Sequence, residues 1–132
     1  MSPQSSRTAT STSPAIRWLK KPEEHDYPAA ASYLSLIHDE RSVAKLVKRL
    51  RKAEVTSFMS KDVFRASQLS LLGVSNSHVA KDTAKILQGL ELSPLLLVRD
   101  ESLGKVIIAD GYHRLCAVYA LDEDAVIPCK IV

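Results

Sequence analysis

Apolar and polar positions divide this chain into a featureless start and a series of short, strongly patterned segments. Met1 to Pro14 is MSPQSSRTATSTSP, in which eight of fourteen positions are Ser or Thr. Such a segment carries too little apolar surface to offset the entropy of ordering it and is expected to be disordered. AIRWL, at 15–19, holds the single tryptophan, Trp18, whose docking site is expected on its own domain. KKPEEHDY, at 20–27, is polar and broken by Pro22. The folded domain is therefore expected at 28–132, with 1–27 a disordered or loosely docked tail. Pro28 to Ile37 suits a short helix opened by its proline. A longer helix is predicted over Asp39 to Val55, where Val43, Leu46, Val47 and Leu50 recur at i, i+3, i+4 and i+7.

Ser57 to Leu72 is ambiguous, with a short strand or turn near Phe58 and a leucine-rich end. GVSNS at 73–77 supplies N-cap candidates for a helix carrying Val79, Thr83, Ile86, Leu87 and Leu90 and ending at Gly89. Leu95 to Val98 is an apolar run too short for a helix. With Lys105 to Ala109, across a polar turn containing Gly104, it predicts a β-hairpin. A helix over Tyr112 to Leu121 and a strand over Val126 to Val132 close the pattern, and Pro128 suits an edge or a strand start. These elements predict an α/β (α+β) domain with a small mixed sheet and flanking helices.

Composition changes this picture little. The 132 residues are 45% hydrophobic and 25% charged, which suits one globular domain. Only 5% are aromatic, so platforms for stacking bases are scarce. Cys116 and Cys129 fall in apolar patterns without metal or redox spacing and read as buried thiols. The sequence holds no apolar run of about 18 residues and opens without a secretory signal, so a cytoplasmic protein with no membrane partner is expected.

Charge adds more. The net charge is +3, but Arg41 to Arg65 carries a local net of +6 while Asp100 to Asp124 is acidic. On the helix from Asp39, Arg41, Lys45, Lys48 and Lys52 form a stripe opposite the apolar face. Such a stripe is either a solvated face or a contact for phosphates.

The candidate chemistry lies in VIIADGYHRLCAVYA, at 106–120, where a buried strand meets a helix through Asp110 and Gly111. The first turn of a helix leaves about four N–H groups unpaired and carries roughly half a positive charge. Gly111 lets a ligand approach the backbone, and His113 and Arg114 add donors, so the junction reads as an anion site. The alternative is an ordinary connection in which Asp110 or Gly111 caps the helix and Tyr112 packs on the sheet. Asp110 would repel a phosphate unless it turns away or holds a metal ion. Between Phe64 and the apolar segment at 69–72, Arg65 must either reach solvent or find an anion.

From Ser93 to Val132 the chain resembles the ParB/sulfiredoxin superfamily: a strand, a hairpin turn, a second strand ending in G-x-[HR]-R, a helix, and a last strand with a proline. Here the motif is GYHR, at 111–114, where sulfiredoxins carry GCHR and ParB partition proteins GERR. The resemblance implies a loop that binds nucleotide phosphates through Gly111, Tyr112, His113 and Arg114, with a nucleoside triphosphate and Mg²⁺ as possible cofactors. Tyr112 stands where sulfiredoxins have their nucleophilic cysteine, and a phenol does not replace a low-pKa thiolate, so sulfiredoxin activity is not expected. It also replaces the acidic residue of ParB proteins, which leaves hydrolysis an open question. Asp110 is the candidate metal ligand in its place. KDVFRASQL, at 61–69, is matched to an arginine-bearing segment of the family, which would bring Arg65 to the phosphates.

The leading expectation is a nucleotide- or phosphate-binding ParB-like domain, non-catalytic or weakly hydrolytic, with no residue assigned as catalytic. ParB proteins continue into a helix-turn-helix region, whereas this sequence stops after its last strand pattern, so sequence-specific DNA recognition is not expected. Two alternatives stand beside it. One is a nucleic-acid-associated module that contacts DNA phosphates through Arg41, Lys45, Lys48 and Lys52. The other is a regulatory or protein-interaction module, or a homo-oligomer, using the Trp18 segment or the acidic turn at 122–124. A histidine beside bound phosphate, as expected for His113, would be held protonated above its usual range.

Overall fold

The computed structural model describes residues 15–73 and 75–132. The expectation of disorder for Met1 to Pro14 lies outside the described residues. In chain order the elements are β1 (Arg17–Trp18), α1 (Asp26–Leu34), α2 (Glu40–Lys52), β2 (Thr56–Met59), α3 (Ser60–Ser67), α4 (Ser77–Leu87), β3 (Glu91–Leu92), β4 (Leu95–Asp100), β5 (Lys105–Asp110), α5 (Tyr112–Leu121) and β6 (Val126–Ile131). This is an α+β fold. Its main sheet runs β2-β6-β4-β5, with β6 and β4 parallel and the other two pairings antiparallel. A separate two-stranded parallel ribbon joins β1 to β3.

Helices cover both faces of the main sheet, and β4 shows why its sequence is a continuous apolar run. Leu95 and Leu97 enter one core with Val63 of α3, Val79 and Ile86 of α4, and Leu115 to Val118 of α5. Leu96 and Val98 enter the other core with Tyr27, Ala30 and Leu34 of α1 and Val43 and Leu50 of α2. A strand covered on both faces needs apolar residues at every position, not alternate ones. All four of these β4 side chains are buried, at about 1.5–3 kcal/mol each.

The helix predicted from Asp39 is α2. Asp39 caps it by accepting a hydrogen bond from the Ser42 N–H at 2.8 Å, and Arg49, Arg51 and Lys52 lie in its last turn, where cations favour the helix dipole. The hairpin and the helix from Tyr112 also form as expected. The ambiguous segment after Ser57 resolves into β2 followed directly by α3. The first turn of α3 satisfies its donors on the acidic turn at 122–124: Ser60 Oγ donates to the Glu123 carbonyl at 2.6 Å, the Lys61 N–H to the same carbonyl at 2.9 Å, and Lys61 Nζ pairs with Asp124 at 2.7 Å. That turn, offered above as a partner surface, makes these contacts within the domain while its three residues stay exposed.

Several expectations are corrected. The boundary drawn at residue 28 falls inside α1, which begins at Asp26 and ends at Leu34 rather than Ile37. Pro28 occupies the first turn, where its missing N–H has no intrahelical partner to lose. Residues before it are also structural: Trp18 lies on β1 and packs against the core of α4 and α5, its own domain. In α4 the buried residues are Val79 and Ile86, while Leu87 is 64% exposed and Leu90, beyond the helix, 49%. Strand β6 is interior, not an edge. Its parallel ladder to β4 begins at Cys129, so Pro128 is paired only on the β2 side, and the missing donor breaks no rung with β4.

Candidate functional site

The junction from β5 to α5 has a backbone shape that its glycine permits. Gly111 has φ +109°, a region L side chains rarely adopt, and a Cβ there would stand 2.6 Å from Leu95 Cγ and 3.0 Å from Arg114 Nη2. The absent side chain leaves room for the Arg114 guanidinium to fold back across the turn. Arg114 Nη2 donates to Asp110 Oδ2 at 2.9 Å and lies 3.8 Å from Asp26 Oδ2. Asp26, buried at the start of α1, accepts a hydrogen bond from Ser93 Oγ, which itself accepts from the Glu23 N–H at 3.1 Å. One guanidinium therefore serves two carboxylates from two other elements, and it ties α1 to the sheet.

This geometry bears directly on the expected roles. Arg114 is a largely buried ion-pair partner, with 16% of its side chain exposed, rather than a free cation. Its Nε is nevertheless buried without a hydrogen-bond partner, a donor that an anion could satisfy. Asp110, named above as a metal ligand, is engaged by Arg114. Burial nonetheless pushes the Asp110 carboxyl above its ordinary range, against the opposing pull of Arg114. Among the described residues, the group whose ligand atoms approach within 4.8 Å of one another is Glu23, His25 and Asp26. Their donor set of one imidazole and two carboxylates suits a divalent cation. The His25 Nε2 contact with Asp26 Oδ1, at 3.3 Å, is equally an ion pair when His25 is protonated.

Beside Arg114 opens a cleft of about 210 Å³ lined by Asp110, Gly111, His113 and Arg114 together with His78, Lys81, Asp82 and Lys85 of α4. The sequence reading named Gly111, His113 and Arg114 but missed the four α4 residues. Their signal was present: positions 78, 81, 82 and 85 share one polar face of the helix. Only the docking of α4 on α5 turns that face toward Gly111. Asn76 starts α4 by accepting from the N–H groups of His78 and Val79, at 2.9 and 3.2 Å, which fixes His78 at the cleft mouth. The His78 and His113 rings lie 4.8 Å apart. Burial, and then the neighbouring His78, hold the His113 pKa below its usual value, with Asp82 opposing. The protonated His113 expected beside phosphate is thus not the state of the empty cleft.

Two other expected site residues stand outside the cleft lining. Arg65 lies on α3 with 86% of its side chain exposed, 3.4 Å from Asp62, so it reaches solvent. Tyr112 donates its hydroxyl to the Ser70 carbonyl and packs against the core, holding the segment before α4 near α5. Burial, reinforced by Cys116, raises its pKa, so the phenol stays protonated at neutral pH. The cysteines are both buried, and burial pushes the Cys129 thiol to about 11. A larger groove, of about 700 Å³, runs between α1 and α2, but its walls are apolar at Ala31, Val43 and Val47 and its charges are of mixed sign.

Comparison with protein-family models, with curated proteins and with solved structures gives no match to this chain. Among the described residues, no helix is long and apolar enough to cross a membrane.

Proposed function

We propose that this protein binds a phosphate-bearing ligand, of the kind a ParB/sulfiredoxin-like domain would take, and seats its phosphoryl group in the cleft between α4 and α5. The observation that carries this reading is convergence. Lys81, Lys85, His78, His113 and Arg114 line one cleft beside Gly111 at the start of α5. Charged donors at a helix start bind oxyanions well, each such hydrogen bond contributing roughly 1.5–3 kcal/mol. Size narrows the ligand. A volume of about 210 Å³ is below the roughly 300–1,000 Å³ of pockets that enclose a small organic ligand, so the cleft takes a phosphoryl group and leaves a base or sugar outside.

No catalytic residue is assigned to this reading: the Tyr112 phenol is tied to Ser70, and among the described residues lining the cleft there is no serine, threonine or cysteine. Titration calorimetry with CTP, ATP, GTP and inorganic phosphate, with and without Mg²⁺, tests it. Lys85→Ala is the better probe than Arg114→Ala, because Lys85 lines the cleft without entering the buried ion pairs. Affinity is expected to fall about tenfold or more in Lys85→Ala. Absence of binding by all four ligands, or binding indifferent to Lys81→Ala and Lys85→Ala alike, refutes the reading.

A second reading has its own observation. Arg41, Lys45, Lys48 and Lys52 are exposed along α2, and none of them forms an ion pair among the described residues. Four unpaired cations on one helix face suit a nucleic-acid backbone without base readout. Gel shifts on duplex and single-stranded DNA at low salt, abolished by about 0.2 M salt, would support it. Flat profiles at low salt would remove it.

A further inference from the structure

The cleft contains a pair of imidazoles from two different helices, and this pairing has a consequence for how it would hold an anion. His78, on the first turn of α4, and His113, on the first turn of α5, place their rings 4.8 Å apart at a 38° tilt. The other charged and titratable groups at this cleft come from three elements. From α4 come Lys81, Asp82 and Lys85; from β5 comes Asp110; from α5 comes Arg114, while Tyr112 lies with its ring 5.6 Å from that of His113. Asp110 is spent on Arg114 at 2.9 Å. Asp82 is then the one acid left to offset Lys81, Lys85 and any proton on either imidazole.

An empty cleft with both rings protonated would hold four cationic groups, besides the paired Arg114, against one carboxylate, with the two imidazoles only 4.8 Å apart. Like charges at this separation disfavour one another, and burial with the neighbouring His78 already holds the His113 pKa below its usual value. A dianion reverses the balance, because each proton then faces two negative charges at hydrogen-bond range.

We propose that the cleft binds its dianion together with protons on the His78–His113 pair, so that the site loads as pH falls below neutrality and releases as pH rises. This rests on the reading of the cleft as an anion site and adds to it a ligand preference, for a terminal phosphate or another dianion over a monoanion, and a pH response. Linkage fixes the sign. A group whose pKa is higher in the bound than in the free protein is protonated on binding, and between those two values affinity falls about tenfold per pH unit for each coupled proton. His113 starts below the ordinary histidine range, held there by burial and by His78, which widens the window in which this occurs.

Sulfate is the probe for the first experiment, since it remains a dianion from pH 5.5 to pH 8 and any pH dependence belongs to the protein. Its affinity is measured by calorimetry at constant ionic strength across that range, in buffers of different ionisation enthalpy, so that proton uptake is counted directly. The wild type should lose at least tenfold in affinity between pH 6 and pH 8 and take up about one proton per sulfate near pH 7. His78→Asn, at an exposed position, and His113→Asn should each flatten the profile and reduce the uptake. Inorganic phosphate in the same series should show a shallower profile, because its own second ionisation runs in the opposite direction. Sulfate binding that is equal at pH 6 and pH 8 with no proton uptake overturns the coupling while leaving the anion site intact. A pH dependence unchanged in both variants overturns its assignment to this pair. No sulfate or phosphate binding at any pH overturns both the coupling and the functional reading beneath it.

Discussion

Replacing Arg114 with leucine isolates what the guanidinium does for the fold. Its Nη2 stands 2.9 Å from Asp110 Oδ2 and 3.8 Å from Asp26 Oδ2, and all three side chains are largely out of solvent, at 16%, 17% and 4% exposure. At an effective dielectric of about 20, gross attractions over those distances are roughly 6 and 4 kcal/mol. Desolvating three ions consumes most of that, which is why the pair itself adds little net stability. Removing only the cation is another matter, because two buried carboxylates then face each other without compensation. Loss of one partner from a buried pair costs about 3–5 kcal/mol, a third or more of the 5–15 kcal/mol that holds a typical domain folded. Urea titration followed by far-ultraviolet circular dichroism measures the change. Arg114→Leu should lose about 3–5 kcal/mol at pH 7 and less at pH 4, where the Asp110 carboxyl, raised by burial, takes up its proton. Adding Asp110→Asn to Arg114→Leu should recover part of the loss, since one of the two orphaned charges is gone. A loss below about 1 kcal/mol, or a double variant no more stable than the single one, would refute the account of Arg114 as the cation between α1 and the sheet.

Two further outcomes follow from the same junction. Gly111→Ala should destabilise by about 2 kcal/mol or more in the same titration, because a methyl group at φ +109° is strained and would press on Leu95 Cγ at 2.6 Å; Gly73→Ala, with nothing within 4 Å of its added methyl, should stay within about 0.5 kcal/mol of the wild type. For Asp110, whose carboxyl sits above its ordinary range because of burial, the folded state binds its proton more tightly than the unfolded chain. Its contribution to stability is therefore present below the unfolded pKa and is lost as pH rises through the folded one. Asp110→Asn should accordingly gain on the wild type between pH 4 and pH 7 in urea midpoint; a constant difference across that range would contradict the assignment.

Much of this fold was legible because local chemistry and tertiary demand agree. The α2 stripe of Val43, Leu46, Val47 and Leu50, its Asp39 cap, the β4–β5 hairpin and the α5 start at Tyr112 are all written in spacing and turn residues. What was hidden has a common cause, which is that it depends on partners distant in sequence. Pro28 read as a helix opener, yet α1 starts two residues earlier because Asp26 is drawn inward to Ser93, 67 positions away. Pro128 argued for an edge, and only the β4 register, which starts one residue later, shows why an interior strand tolerates it. The first residues of the domain looked too polar to order, but Trp18 and the β1–β3 ribbon anchor them.

The candidate site shows the same division more sharply, and it changes which residues matter. GYHR marked the location, since a glycine, a histidine and an arginine cluster donors at a helix start. It did not reveal that Arg114 faces inward. An arginine beside a glycine reads as a ligand donor when its neighbours in sequence are all one sees, and Asp26, 88 positions earlier, is not among them. With Arg114 occupied by Asp110 and Asp26, the cations left to meet an anion are Lys81 and Lys85, aided by the two histidines. They belong to α4, a helix that its sequence marks by its apolar face. The division of labour is physically sensible. A buried, doubly paired guanidinium fixes the shape of the α5 start, offering at most its Nε, while more mobile lysines and titratable imidazoles supply charge that can respond to a ligand. Variants at Arg114 should therefore report mainly on folding, and variants at Lys81, Lys85, His78 and His113 on binding. That separation can be read from stability and affinity measured on the same proteins.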